Sequence, residues 1–181
     1  MRYFLGIDLP VETKKNITRQ LKDFRKDYPY FSYVNEDNYH ITLHYLGDDF
    51  QEDKVKSAVE NVVYDIPAFQ LYANTGDIFI NYKITMFITF HREKTLDTLV
   101  QGIRDQLQVT DQKKFVPHLT FARYKLPSKQ QYLLVKKRLE QMEFEFHFDV
   151  NHIYLYESIE TRNQPIYEKK AEFSLVSREN G

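Results

Sequence analysis

The sequence predicts a strand-rich fold that mixes helices and sheets, laid out as two homologous lobes facing each other across a cleft. Three observations point there. The 181 residues include 14 Tyr and 14 Phe but only 5 Gly and 6 Pro, a composition that favours strands. Amphipathic helical stripes alternate with strand-like runs along the chain. The phrase His, apolar, Thr, apolar also occurs twice, in Tyr39-His40-Ile41-Thr42-Leu43 and, 78 positions later, in Pro117-His118-Leu119-Thr120-Phe121. Each copy is followed by a loop, a helix and an alternating strand, the mark of an internal repeat.

In chain order, Tyr3 to Leu9 reads as a buried strand, and Pro10 suits the first turn of a helix, where its missing N–H costs nothing. Ile17, Leu21 and Phe24 fall at helical spacing and predict an amphipathic helix over 11–27, stopped by Tyr28-Pro29. Phe31 to Val34 is a short strand and Asn35-Glu36-Asp37-Asn38 a turn cluster. The first motif strand then runs from Tyr39 to Leu46 and closes at Gly47-Asp48-Asp49. Val55, Ala58, Val59, Val62 and Val63 share one helical face and predict a helix over 51–63. Ala68 to Ala73 alternates as a strand, and 77–80 with 84–90 form a hairpin around Asn81-Tyr82-Lys83. Leu96, Leu99, Val100, Ile103 and Leu107 mark a third helix, and Phe115 to Tyr124 is the second motif strand. Tyr132, Val135, Leu139 and Met142 mark a fourth helix, after which 144–150, 153–156 and 166–176 read as strands.

Composition narrows the function. The formal net charge of −1 excludes the broad basic character of a protein that grips long nucleic acid through its phosphates, so positive charge toward RNA or a nucleotide must be local. No cysteine is present, which removes thiolate nucleophiles, disulfides and cysteine-ligated zinc. The opening apolar run is too short for a signal segment and no stretch approaches membrane-spanning length. A soluble, cytoplasmic, monomeric protein that makes no membrane contact is expected, with residues 1–181 forming one bilobal domain.

Each motif is half of a site. On a strand the His and Thr point to one side at a Cα spacing of roughly 6.6 Å while their apolar neighbours enter the core. Facing lobes would bring the two pairs together. His44 lies on the same ideal strand face as His40 and Thr42, but the two histidines are then roughly 13 Å apart, so no metal site is expected. His91, His147 and His152 lack a Thr partner and read as structural or exposed. Tyr33, Tyr45 and Tyr156 offer rings on which a nucleobase could stack, with core packing as the alternative for each. The pair Lys113-Lys114 ahead of the second motif stands where flanking phosphates could meet it.

With both motifs in hand, the chain resembles the two-histidine (2H) phosphoesterase superfamily, and within it the RNA 2′,3′-cyclic phosphodiesterases of the LigT type, also called 2′-5′ RNA ligases. The resemblance covers nearly the whole chain. It is carried by Arg2-Tyr3-Phe4-Leu5-Gly6-Ile7-Asp8-Leu9-Pro10, by Asn38-Tyr39-His40-Ile41-Thr42-Leu43-His44-Tyr45-Leu46-Gly47, by Pro117-His118-Leu119-Thr120-Phe121-Ala122-Arg123, and by Ile153-Tyr154-Leu155-Tyr156-Glu157-Ser158. Tyr45 stands where phenylalanine is commoner and Phe121 where leucine is, and no Trp accompanies Phe31-Ser32-Tyr33.

The resemblance implies an α+β fold of two pseudo-symmetric lobes, each an antiparallel sheet backed by helices, with a central cleft and no metal or other cofactor. It implies catalytic roles for His40, Thr42, His118 and Thr120 and a phosphate contact for Arg123, and it assigns His40 as proton donor and His118 as proton acceptor. The residues alone leave those two roles interchangeable. The implied reaction opens 2′,3′-cyclic phosphate ends of RNA or nucleotides to 2′-phosphates, with weak reverse 2′-5′ ligation.

The chemistry suits two histidines, because at a pKa of about 6.5 one imidazole can be neutral while its partner is protonated near neutral pH. The threonine hydroxyls would donate to the non-bridging oxygens, and Arg123 could add bidentate charge as phosphorus becomes pentacoordinate. Arg123 lies five residues after His118, an odd step that turns it to the opposite face of an ideal strand. It reaches the site only if the strand ends or bulges there. Two readings stand beside the lead: a module on the same fold that binds a nucleotide without turning it over, and the same chemistry on another cyclic or 2′-5′ phosphodiester.

Overall fold

The computed structural model describes residues 2–48, 50–110 and 113–177. Asp49, the last residue of the turn expected after the first motif, lies outside them. The chain opens with β1 (Tyr3–Asp8), whose run of buried residues suits a strand covered on both sides. The expected single helix is present as α1 (Val11–Gln20) and α2 (Lys22–Asp27), separated at Leu21 (φ −81°, ψ −2°). Ile17, Leu21 and Phe24 are nevertheless fully buried, so the apolar stripe crosses the break intact.

A two-residue strand, β2 (Ser32–Tyr33), leads to a 3₁₀ turn at Glu36–Asn38, and β3 (His40–Gly47) follows with the first motif. Then come α3 (Glu52–Val63), β4 (Phe69–Ile80), β5 (Lys83–Phe90) and α4 (Lys94–Gln106). The second motif opens β6 (His118–Lys125), followed by α5 (Lys129–Glu140), β7 (His147–Val150), β8 (His152–Ile159) and β9 (Ile166–Ser174). The strands expected at 68–73 and 77–80 are one strand, β4, with an irregularity between Ala73 and Gly76. Gly76 suits the close approach there, because a Cβ would lie 3.0 Å from the Leu139 carbonyl oxygen of α5.

The strands form two sheets in the orders β3-β1-β8-β9 and β2-β6-β5-β4-β7, and every ladder between these strands is antiparallel. Helices α3 and α4 pack on each other, and α5 lies against β4. One apolar cluster joins both sheets, reaching from Leu5 and Ile7 to Ile103 and Leu139.

The internal repeat is present in altered form. The strand after the first motif helix, β4, pairs with β5 and β7 in the sheet of the second motif, and the strand after the second motif helix, β7, joins that same sheet. Later in the chain β8 crosses the other way and pairs with β1 in the sheet of the first motif.

Candidate active site

Strands β3 and β6 lie against each other where the two sheets meet, which brings the motif strands together. Each histidine is oriented by a main-chain carbonyl two residues earlier: His40 Nδ1 lies 2.7 Å from the Asn38 oxygen and His118 Nδ1 2.8 Å from the Val116 oxygen. A carbonyl can only accept, so both rings carry their proton on Nδ1 and present Nε2 as a lone pair when neutral. At His40 that nitrogen is 3.1 Å from Thr42 Oγ1, which donates to it.

Both motif strands bulge just after the threonine. In the β1–β3 ladder Leu5 pairs with His44 and Gly6 with Thr42, leaving Leu43 as the extra residue. In the β5–β6 ladder Met86 pairs with Ala122 and Phe87 with Thr120, leaving Phe121 as the extra residue. One added residue reverses the alternation downstream. The residue five places after each histidine, Tyr45 on β3 and Arg123 on β6, is thereby turned onto the His-Thr face. Tyr45 pairs with Phe4, whose ring lies 6.1 Å from that of Tyr45 and 4.9 Å from that of His40. Burial is the main cause that lowers the pKa of both His40 and His118, and the Arg123 guanidinium adds to the lowering of each, so one cation acts on both halves of the site.

The same bulge corrects the expectation for His44. It is turned away from His40 and Thr42 to the other face of β3, where burial and then Arg104 on α4 lower its pKa.

Aromatic rings close around each imidazole. His40 lies between Phe4 and the edge of Tyr167, at centroid distances of 4.9 and 4.8 Å. His118 meets Phe79 at 5.1 Å and Phe87 at 5.2 Å, those two rings being stacked at 4.0 Å. This desolvation disfavours the charged imidazolium. It lowers His40 from 6.5 to about 4 and moves His118 in the same direction.

The turn that carries the Asn38 carbonyl is fastened from two sides. Lys14 of α1 donates to the Asp37 carbonyl at 3.0 Å while its ammonium lies 2.7 Å from Asp8. Asn38 Nδ2 donates to the Pro165 carbonyl at 2.8 Å. Lys169 reaches the other Asp8 oxygen at 2.7 Å, so the carboxylate beside His40 is doubly paired and, against the opposing effect of burial, held below the usual range.

Two of the expected stacking rings serve the core. Tyr156 is buried, stacks on Phe4 at 5.0 Å and walls a cavity of about 80 Å³ behind His40; burial raises its pKa. Tyr33 is placed elsewhere altogether. It pairs with Ala122, on the face away from Arg123; its hydroxyl donates to the Tyr28 carbonyl at 2.9 Å and Arg25 covers its ring at 4.8 Å. Burial pushes it up to about 12. A side chain so engaged is not a free platform, which corrects that expectation.

Phe4, Phe79, Tyr167 and Lys14 belong to the site without a motif to mark them. Phe79 and Phe4 sit in readable strands, but nothing in the local pattern of Tyr167 indicates that β9 brings it to His40.

The family model of the 2′-5′ RNA ligase superfamily matches residues 11–162, which include both motifs and Arg123. The chain belongs to the 2′-5′ RNA ligase superfamily. Two relatives are named RNA 2′,3′-cyclic phosphodiesterase. The one from Methanocaldococcus jannaschii is 29% identical over 174 residues, covering 93% of this chain and 97% of the relative. The one from Thermotoga maritima is 28% identical over 177 residues, covering 92% and 91%. Among solved structures, TT0787 of Thermus thermophilus superposes with a TM-score of 0.78 at 22% identity, covering 99% of this chain and 100% of that one. E. coli LigT complexed with 3′-AMP superposes with a TM-score of 0.74 at 21% identity, covering 96% and 97%. The fold is therefore that of the LigT-like 2H phosphoesterases. The span matched to the 2′-5′ RNA ligase superfamily stops short of Phe4 at one end and Tyr167 at the other. The aromatic pair around His40 thus comes from the flanks of the matched region.

Proposed function

We propose that this phosphoesterase hydrolyses 2′,3′-cyclic phosphate ends of RNA or nucleotides to 2′-phosphates without a metal ion, with His40 and His118 as its acid and base. The observation that carries the reading is the paired geometry: two imidazoles, one from each sheet, are each oriented through Nδ1 by a main-chain carbonyl where β3 and β6 meet, and the bulge of β6 turns Arg123 onto the same face as His118 and Thr120. An anionic phosphate beside that cation would have an Nε2 available on each motif strand.

Water attacks phosphorus and His118 Nε2 takes its proton, while the bond to the ribose 3′ oxygen breaks and His40 Nε2–H protonates the departing oxygen. Thr42, Thr120 and Arg123 bind the non-bridging oxygens as negative charge builds on them. In the free enzyme His40 is neutral at physiological pH, because its pKa is lowered to about 4. The acid role therefore requires the incoming phosphate anion to raise it, since a nearby negative charge favours the imidazolium. Tyr45, on the same face, is the remaining substrate contact.

The test is turnover of the four nucleoside 2′,3′-cyclic monophosphates and a short cyclic-ended RNA in EDTA, with the product phosphate located by phosphorus NMR. Metal-independent conversion to the 2′-phosphate is expected. No turnover of any of them by demonstrably folded protein would overturn the reading in favour of a nucleotide-binding module.

A further inference from the structure

Immediately ahead of β6, between α4 and residues 113–117, lies a groove of about 580 Å³, a volume in the range of small-ligand pockets. Phe90 and Phe115 contribute to its apolar floor. Among the described residues its rim carries four cationic side chains, Arg92, Arg104, Lys113 and Lys114, and two acids, Glu93 and Asp97. Both acids are already engaged. Asp97 pairs with Arg92 at 3.0 Å, and Glu93 accepts the Thr95 N–H at 2.9 Å in the first turn of α4. In a protein of net charge −1 this is the local positive charge that a polyanion would need.

Two further features point to an occupant. Arg104 donates through Nη1 to the Lys113 carbonyl at 2.8 Å, yet its Nε is buried without a hydrogen-bond acceptor. Such a donor is costly to leave unmade, and a small shift of the guanidinium would turn it to an acceptor bound in the groove. The groove also runs up to Val116 and Pro117, and the Val116 carbonyl is the one that orients His118. It therefore adjoins the cleft where the cyclic phosphate would be opened.

We propose that this groove holds the nucleotide preceding the terminal one in a cyclic-phosphate-ended RNA, its backbone phosphate among Arg104, Lys113 and Lys114 and its base over the apolar floor. This rests on the phosphodiesterase reading and adds that the preferred substrate is a polymer. A mononucleotide ends at the cleft and leaves the groove unfilled.

The experiment measures kcat/KM for a cyclic-ended tetranucleotide and for the matching nucleoside 2′,3′-cyclic monophosphate, at two salt concentrations, in wild type and in the surface double variant Lys113→Glu/Lys114→Glu. The expected loss on RNA exceeds that on the mononucleotide by at least about fivefold, and the salt dependence for RNA flattens by about 0.7, the value for one single-strand phosphate contact. A smaller difference between the two losses overturns the groove while leaving the cleft chemistry standing. A wild-type protein that turns over neither substrate overturns both. Arg104→Lys supplies a second check that keeps the charge and removes the Nε donor: RNA KM is expected to rise while mononucleotide kcat and KM stay put, and an equal change in both substrates counts against the groove.

Discussion

Burial keeps His40 neutral over a pH range in which the same side chain takes up a proton in the unfolded chain. Its pKa is lowered from 6.5 to about 4, so between those values the unfolded state binds more protons than the native one. The contribution is complete above pH 6.5 and is lost as pH falls toward about 4. At 1.36 kcal/mol per pK unit it comes to about 3 kcal/mol. His40→Gln should flatten this part of the pH dependence of the urea midpoint; an unchanged slope would mean that His40 is not the group responsible.

The two histidines also predict a bell-shaped kcat/KM profile whose two limbs both lie below 6.5, since burial lowers both imidazoles in the free enzyme. Arg123→Gln removes the cation that lowers both pKa values, so both imidazole titrations followed by NMR should move up. Arg123→Lys should leave them nearly in place while still losing rate, which separates charge from the guanidinium fork. His40→Ala and His118→Ala should each fall below about a tenth of wild-type turnover with the fold intact by circular dichroism. A variant of either kind that kept more than that would remove the acid–base pair.

Among the elements, strands and helices are legible wherever apolar spacing has an unambiguous period, and both His-x-Thr segments lie on strands as their alternation requires. The bulges are harder to see. On β6 the adjacent buried residues Phe121 and Ala122 are the trace that the alternation has slipped. On β3 the sequence Leu43-His44-Tyr45 fits either register, which is why an ideal strand sets His44 and not Tyr45 beside His40. Tyr33 escapes a sequence reading for a related reason: a ring on a two-residue strand has no pattern long enough to fix its direction. The contact between β4 and α5 gives an element-scale test. Gly76→Ala would press a methyl against the Leu139 carbonyl and should destabilise the protein by about 1–3 kcal/mol. Chemical denaturation reads this directly, and a neutral result would show that α5 can shift.

For the molecule as a whole, the repeat is visible in the order of its segments, but which sheet β4 and β8 join is decided by long-range pairing that local periodicity does not encode. Because β4 completes the sheet of β6 and β8 completes the sheet of β3, neither half holds a full sheet of its own. Fragments divided between Asn81 and Tyr82 should each lack cooperative unfolding when made separately and regain it on mixing. Cooperative unfolding of either fragment alone would count against one bilobal domain.

The exchange of strands also limits how the molecule can move. Pulling the two sequence halves apart would have to shear the hydrogen-bonded ladders between β4 and β5 and between β1 and β8. The cleft is spanned by the same covalent chain in both directions, as two interlocked clasps would be. Opening the cleft is therefore a motion of one whole sheet against the other, which leaves every ladder intact and is resisted by the apolar cluster that joins them.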